Sequence, residues 1–194
     1  EVLNGKNYTS ARMLTKGKKV FTYGRVDIRA KLPKGKGIWP ALWMLGKNID
    51  QVSWPACGEI DIMEWFGRYF AGTEQVQSGV HTTQNSGENS LYSKSTLSGL
   101  CTGYHTFQLH WTSSALIMGV DGTQVFRYNK PSSATAATWR KVYGRACHAE
   151  WNNTLLNLVT KPRRARDFEL QEASVVVFFR NEERVARLFL IPWR

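Results

Sequence analysis

The chain has 194 residues, 42% of them hydrophobic and 21% charged. That balance excludes a disordered or collagen-like chain and suits one domain with a sizeable buried core. No apolar run approaches the ~18–20 residues of a membrane-spanning helix, and although the net charge of +11 raises nucleic acid as a partner, its positive residues are scattered and no groove-reading motif accompanies them.

The chain begins at Glu1 without a basic-then-apolar leader, and reads as a processed chain or one cut from a longer protein. The first predicted element follows Gly24. In Arg25-Val26-Asp27-Ile28-Arg29-Ala30-Lys31-Leu32 apolar residues alternate strictly with charged ones, the period of a half-buried strand. Pro33-Lys34-Gly35-Lys36-Gly37 predicts a turn. Ile38 to Leu45 is mostly apolar and carries Trp39 and Trp43. A regular strand would put both indoles on one face, but Pro40 predicts an irregular strand with one of the two in the core.

His105-Thr106-Phe107-Gln108-Leu109-His110-Trp111 alternates again, with Phe107, Leu109 and Trp111 on one face. Leu116 to Val120, then Asp121-Gly122, then Thr123 to Tyr128 predicts a hairpin, because Asp-Gly readily takes the positive φ of a type I′ turn. Turn signals at intervals of about 10 residues, without a sustained helical period before residue 138, predict an all-β sandwich or barrel.

The composition changes near Trp139. Of 16 glycines only Gly144 lies beyond it, and the last 56 residues carry 11 Lys and Arg against 6 Asp and Glu. Ser174 to Phe179 and Leu188 to Ile191 are runs of β-formers. Cys57, Cys101 and Cys147 match no metal-ligand spacing. A Cys57–Cys101 disulfide and buried thiols are both open readings. Eight tryptophans are many for this length. Aromatic planes grip the apolar C–H faces of sugars, and they also fill cores.

The most informative stretch is Trp54-Pro55-Ala56-Cys57-Gly58-Glu59-Ile60-Asp61-Ile62-Met63-Glu64-Trp65. On a strand Glu59 and Asp61 share a face, since the side-chain period is two. Glu64 is an odd five residues from Glu59 and would fall on the opposite face. One β-bulge near Met63 restores it to the same face and leaves Ile60 and Ile62 for the core. A helix would leave the two glutamates about 140° apart. Long side chains leaning together could then bring the two carboxyls to about 5–5.5 Å, the separation of a retaining glycosidase. One carboxylate attacks, the other protonates the departing oxygen, and Asp61 between them hydrogen-bonds the attacking group. The cluster supplies no complete oxygen shell for a metal. A solvated strand face carrying three acids is the plainer alternative.

Gly58-Glu59-Ile60-Asp61-Ile62-Met63-Glu64 resembles the Glu-x-Asp-x-x-Glu signature of glycoside hydrolase family 16 in its bulged, laminarinase-like form. Tyr8-Thr9-Ser10-Ala11-Arg12, Gly37-Ile38-Trp39-Pro40-Ala41-Leu42-Trp43-Met44-Leu45, Val80-His81-Thr82-Thr83, Tyr104-His105-Thr106-Phe107 and Val120-Asp121-Gly122 resemble its flanking segments in order. The likeness covers about residues 7 to 131. It implies a concanavalin A-like β-jelly-roll of two packed antiparallel sheets with a sugar cleft. By the same resemblance Glu59 is the nucleophile, Glu64 the general acid/base and Asp61 the assisting carboxylate. Trp54, Trp39 and Trp43 become cleft aromatics, His81 a cleft histidine, and Arg12 a contact to a sugar hydroxyl.

The departures from the family set the expected domain division. Residues 1–138 are the catalytic-domain core, begun later than usual for the family. Residues 139–194 are an atypical basic segment, without the family's Gly-Gly strand, that fits a tail of different origin. The jelly roll is therefore expected to be incomplete at both ends. The implied activity is retaining endo-hydrolysis of β-1,3-glucan. Alternatives are mixed-linkage glucan, a sulfated galactan, or a non-catalytic glucan-binding fragment. The expected partner is a β-glucan, with no nucleic acid, no membrane and a monomeric chain, secreted or periplasmic. No cofactor is required, and ligands for the structural calcium of some family members are not identifiable.

Overall fold

Strict alternation in the sequence becomes strict alternation in burial. The computed structural model describes residues 12–18, 20, 22–33, 38–66, 74–132, 147–155, 174–181 and 184–189. Among these, the strands in chain order are β1 (Arg12–Leu14), β2 (Gly24–Lys31), β3 (Ile38–Gly46), β4 (Glu59–Glu64), β5 (Gln75–His81), β6 (Leu91–Thr96), β7 (His105–Trp111), β8 (Ala115–Val120), β9 (Thr123–Asn129), β10 (Cys147–Leu155), β11 (Ser174–Asn181) and β12 (Arg184–Phe189). One helical turn, α1 (Ile49–Val52), precedes β4.

The strands form two six-stranded sheets, ordered β1-β10-β3-β4-β5-β6 and β12-β11-β2-β7-β8-β9. All neighbouring pairs are antiparallel. This is the β-jelly-roll sandwich that the sequence predicts. The second sheet sends Val26, Ile28 and Ala30 from β2, Phe107, Leu109 and Trp111 from β7, and Leu116, Met118 and Val120 from β8 into the core. The first sheet answers with Leu42 and Met44, Ile60, Ile62 and Met63, and Val76 and Val80. Truncating a side chain such as the fully buried Phe107 to alanine would cost about 3–5 kcal/mol.

The β8–β9 hairpin has the expected turn, with Asp121 at φ 50° and Gly122 at φ 83°. One expectation is corrected, and the open reading of the cysteines resolves. The strand is not irregular at Pro40 itself. β3 keeps continuous register with β10 from Ile38 to Gly46. Its only shift lies against β4, between Leu42 and Trp43. Trp39 and Trp43 thus share a face, both half-buried and neither in the core. Pro40 lacks an N–H, but its carbonyl still accepts the Trp65 N–H at 3.1 Å. Cys57 and Cys101 are buried thiols rather than a disulfide.

The sequence beyond Trp139 contributes three strands. β10 lies between β1 and β3, and β11 pairs with both β2 and β12. Cys147 begins β10. Its side chain lies outside the described residues.

Candidate active site

The acidic strand β4 sits inside its sheet, with β3 on one side and β5 on the other. The bulge that the odd Glu59–Glu64 spacing requires is present. Against β3, Asp61 pairs with Trp43 and Met63 with Leu42, so Ile62 is an added residue. Against β5 the register shifts between Asp61 and Glu64. Ser78 of β5 donates its hydroxyl to the Ile62 carbonyl at 2.8 Å, giving the bulge backbone a partner that the ladder geometry disrupts. Ile60, Ile62 and Met63 are buried in the core.

Directly paired residues share a face of a sheet, so the register defines rows across the first sheet. Glu59 lies between Leu45 and His81. Asp61 lies between Trp43 and Gly79, and Tyr92 of β6 follows. Glu64 lies between Ala41 and Gln77, with Lys94 beyond on one side. On the other side Ala41 pairs with Asn152, and Asn152 with Arg12. The backbone therefore sets Arg12 in the Glu64 row, three strands away. The Arg12 side chain lies outside the described residues.

Trp54 reaches the site from the loop between α1 and β4. The Ser53 N–H donates to the Ile49 carbonyl, the Cys57 N–H to Ser53 and the Gly58 N–H to Pro55, so the loop is tightly wound. Ser53 adopts φ 58° and ψ 174°, a region almost reserved for glycine. The Trp54 side chain remains 45% exposed, and its Nε1–H donates to Glu59 Oε2. The Trp54 ring centroid is 5.7 Å from that of His81.

The three carboxyls sit in different environments. Glu59 is half-buried. Asp61 is 2% exposed, and its carboxyl is held well above the ordinary range, first by burial and then by the charge of Glu59 and a hydrogen bond with it. Glu64 is 7% exposed and its carboxyl is pushed up to about 8, first by burial and then by the charge of Asp61. The Trp39 hydrogen bond opposes that rise. Trp39 Nε1 donates to Glu64 Oε1 at 3.0 Å, and Gln77 Nε2 donates to Oε2 at 3.4 Å.

His81 Nε2 lies 3.1 Å from Asp61 Oδ2, close enough for an ion pair but without hydrogen-bond alignment. His81 Nδ1 accepts the Gly87 N–H at 3.2 Å, so the neutral ring carries its proton on Nε2, facing Asp61. One ligand atom from each of Glu59, Asp61 and His81 lies within 4.8 Å of the other two, so the trio could also hold a cation.

The structure thus gathers Glu59, Asp61, Glu64, Trp54, Trp39, Trp43 and His81 on one face. Sequence reasoning missed Gln77, Ser78 and Gly79. Their stretch, Gln75-Val76-Gln77-Ser78-Gly79-Val80, carries the period-two signal only in Val76 and Val80. Gly79 has a steric reason: a Cβ there would come within 2.9 Å of the Leu91 carbonyl and 3.0 Å of Tyr92 Cβ.

The chain is similar to several known proteins. The beta-glucanase of Rhodothermus marinus is 36% identical over 151 residues, which are 72% of this chain and 50% of that protein. A beta-1,3-glucan-binding protein of Penaeus monodon is 39% identical over 123 residues, 58% of this chain and 33% of that one. The chain therefore spans half or less of the length of these two relatives. The laminarinase structure from Flavobacterium sp. UMI-01 superposes with a TM-score of 0.77 at 36% identity, covering 90% of this chain and 73% of that chain. Residues 2–156 match the glycosyl hydrolases family 16 pattern, and with the bulged carboxylate strand and the two-sheet fold this makes the chain a member of that family.

Proposed function

We propose that this chain is a retaining endo-glycosidase acting on β-1,3-glucan. The observation that carries the reading is the contrast between two carboxyls of one strand. Glu64 is buried and pushed up to about 8, so it holds a proton at neutral pH. Glu59 is half-buried and accepts the Trp54 N–H. Environments that separate two carboxyls in this way assign acid and nucleophile.

In the first step a Glu59 oxygen bonds to the anomeric carbon as the glycosidic C–O bond breaks, and the Glu64 proton passes to the departing oxygen. In the second step Glu64, now a carboxylate, takes a proton from water. The water oxygen attacks the anomeric carbon and the bond to Glu59 breaks. Both residues return to their starting states. Asp61 keeps its proton directed at Glu59 and limits charge repulsion at the nucleophile. Trp54 and Trp43 offer aromatic faces to glucosyl rings, and His81 and Arg12 lie on rows suited to sugar hydroxyls. A polymeric substrate lying outside cells favours a secreted or periplasmic enzyme.

The test is reducing-sugar release from laminarin by the wild-type chain, Glu59→Gln and Glu64→Gln, with product stereochemistry followed by NMR. Retention with loss of activity in both variants supports the reading. Undiminished activity in either variant overturns it. A second reading, a non-catalytic glucan-binding protein, draws on the Penaeus monodon relative. It would give laminarin binding without hydrolysis by a cooperatively folded wild type.

A further inference from the structure

Resting on that reading, we propose that Trp39 is a positioning residue for the general acid/base Glu64 rather than a platform for a sugar ring. Three observations carry this. The Trp39 Nε1–H is committed to Glu64 Oε1 at 3.0 Å. The Trp39 ring packs on Phe66 with centroids 4.6 Å apart and planes at 41°, so the indole has a second contact besides its N–H bond. The backbone reinforces the pair, since the residue after each partner is joined by the bond from Trp65 N–H to the Pro40 carbonyl.

The consequence is a choice between the two Glu64 oxygens. A neutral indole N–H can only donate, so Oε1 is always an acceptor and cannot carry the proton toward Trp39. With the shorter bond taken up at Oε1, Oε2 beside Gln77 is the oxygen to which we assign the proton. The Gln77 contact is longer, at 3.4 Å, and its amide can donate to a carboxylate or, turned over, accept from a carboxylic acid. Trp39 fixes which oxygen delivers the proton, and it lowers the charge penalty when Glu64 becomes a base in the second step.

The groups that act on Glu64 are Asp61 and Glu59 on its own strand and His81 on β5. Its cross-strand neighbours Ala41 and Gln77 are uncharged, Lys94 lies one strand further, and Arg12 and Glu150 occupy register positions on β1 and β10. All of these remain in Trp39→Phe, which keeps an aromatic ring, removes the donor and shortens the side chain by one ring.

The experiment uses the full chain. In Trp39→Phe the basic limb of kcat/KM on laminarin should move up by about one pH unit. Its kcat should fall by about tenfold, with KM changed less than about twofold. An unmoved limb with a raised KM would make Trp39 a sugar platform and overturn the proposal. A direct measurement is independent of that variant's folding. The Trp39 indole N–H resonance, assigned through its contacts with Phe66, should titrate in the wild type, and the titration should vanish in Glu64→Gln. A resonance indifferent to pH overturns the proposal. Laminarin hydrolysis that survives Glu64→Gln would instead sink the proposed reaction, leaving the N–H to carboxylate coupling to be read separately.

Discussion

Ser78 holds Ile62: the serine hydroxyl, on a side chain 1% exposed, donates at 2.8 Å to the carbonyl of the residue that makes the bulge. Removing that donor leaves a buried carbonyl short of a partner, at a cost of about 1–3 kcal/mol. Ser78→Ala should lower unfolding free energy by that amount in denaturant melts. It should also reduce kcat, because the bulge sets the face on which Glu64 stands. Unchanged stability and unchanged turnover would show that the bulge holds its shape without Ser78.

Glu64 carries a pH signature in both activity and stability. Its carboxyl lies at about 8 in the folded chain against 4.5 ordinarily. The folded state thus binds the proton more tightly, and this group's stabilising share is full below about 4.5 and lost as pH rises through about 8. Glu64→Gln removes the titration. Its unfolding free energy relative to wild type should rise across that window, by on the order of a few kcal/mol. A difference flat with pH would mean that Glu64 is not held protonated. In the wild type, laminarin hydrolysis should decline above about pH 8 as the acid loses its proton.

His105 and Asp121 form a second titrating pair, away from the carboxylate strand. His105 Nδ1 is 2.6 Å from Asp121 Oδ2, and His105 Nε2 is 3.1 Å from the Gly99 carbonyl. Burial pulls the histidine down, but the Asp121 and Gly99 hydrogen bonds and the Asp121 charge hold it above its usual 6.5. Burial likewise raises Asp121, and the Thr106 N–H and His105 bring it below 3.8. The histidine share is present below about 6.5 and fades as pH rises through its folded value. The aspartate share is present above about 3.8 and fades in acid. His105→Gln should therefore cost most stability in mildly acid solution and less in alkali. A penalty that grows with pH would contradict the pairing.

Ser53 stores backbone strain next to Trp54. Glycine adopts its φ of 58° and ψ of 174° freely, whereas other residues pay of order 1–3 kcal/mol there. After the entropy glycine adds to the unfolded chain, Ser53→Gly should gain about 1 kcal/mol. It should also raise KM, because Trp54 is then less firmly aimed at Glu59. Loss of stability in Ser53→Gly would show that the conformation is not strained. Ser53→Ala, which keeps the Cβ, should show neither change.

Much of this was legible before any coordinates. Alternation gave β2 and β7, Asp121-Gly122 gave the hairpin, and the odd Glu59–Glu64 offset demanded the bulge. These signals are local, because side-chain period and turn chemistry act over a few residues. Other features depend on neighbours across strands. The role of Trp39 is set by a carboxylate 25 residues away. The irregularity expected at Pro40 is absent there because β10 pairs with β3 along its whole length. Ser78 and Gly79 matter for what β4 and β6 bring to them, which their own segment does not encode.

The position of β10 has a consequence for biogenesis. Asn152 pairs with Ala41 and with Arg12, partners made more than a hundred residues earlier. During synthesis the carboxylate strand can pair with β3 and β5, but β3 keeps one unpaired edge until residues 147–155 emerge. Closure over so long a separation favours slow folding, and an open edge invites pairing with another chain. Refolding yield should depend on chain concentration, and chaperones that shield strand edges should help most in the interval before β10 arrives.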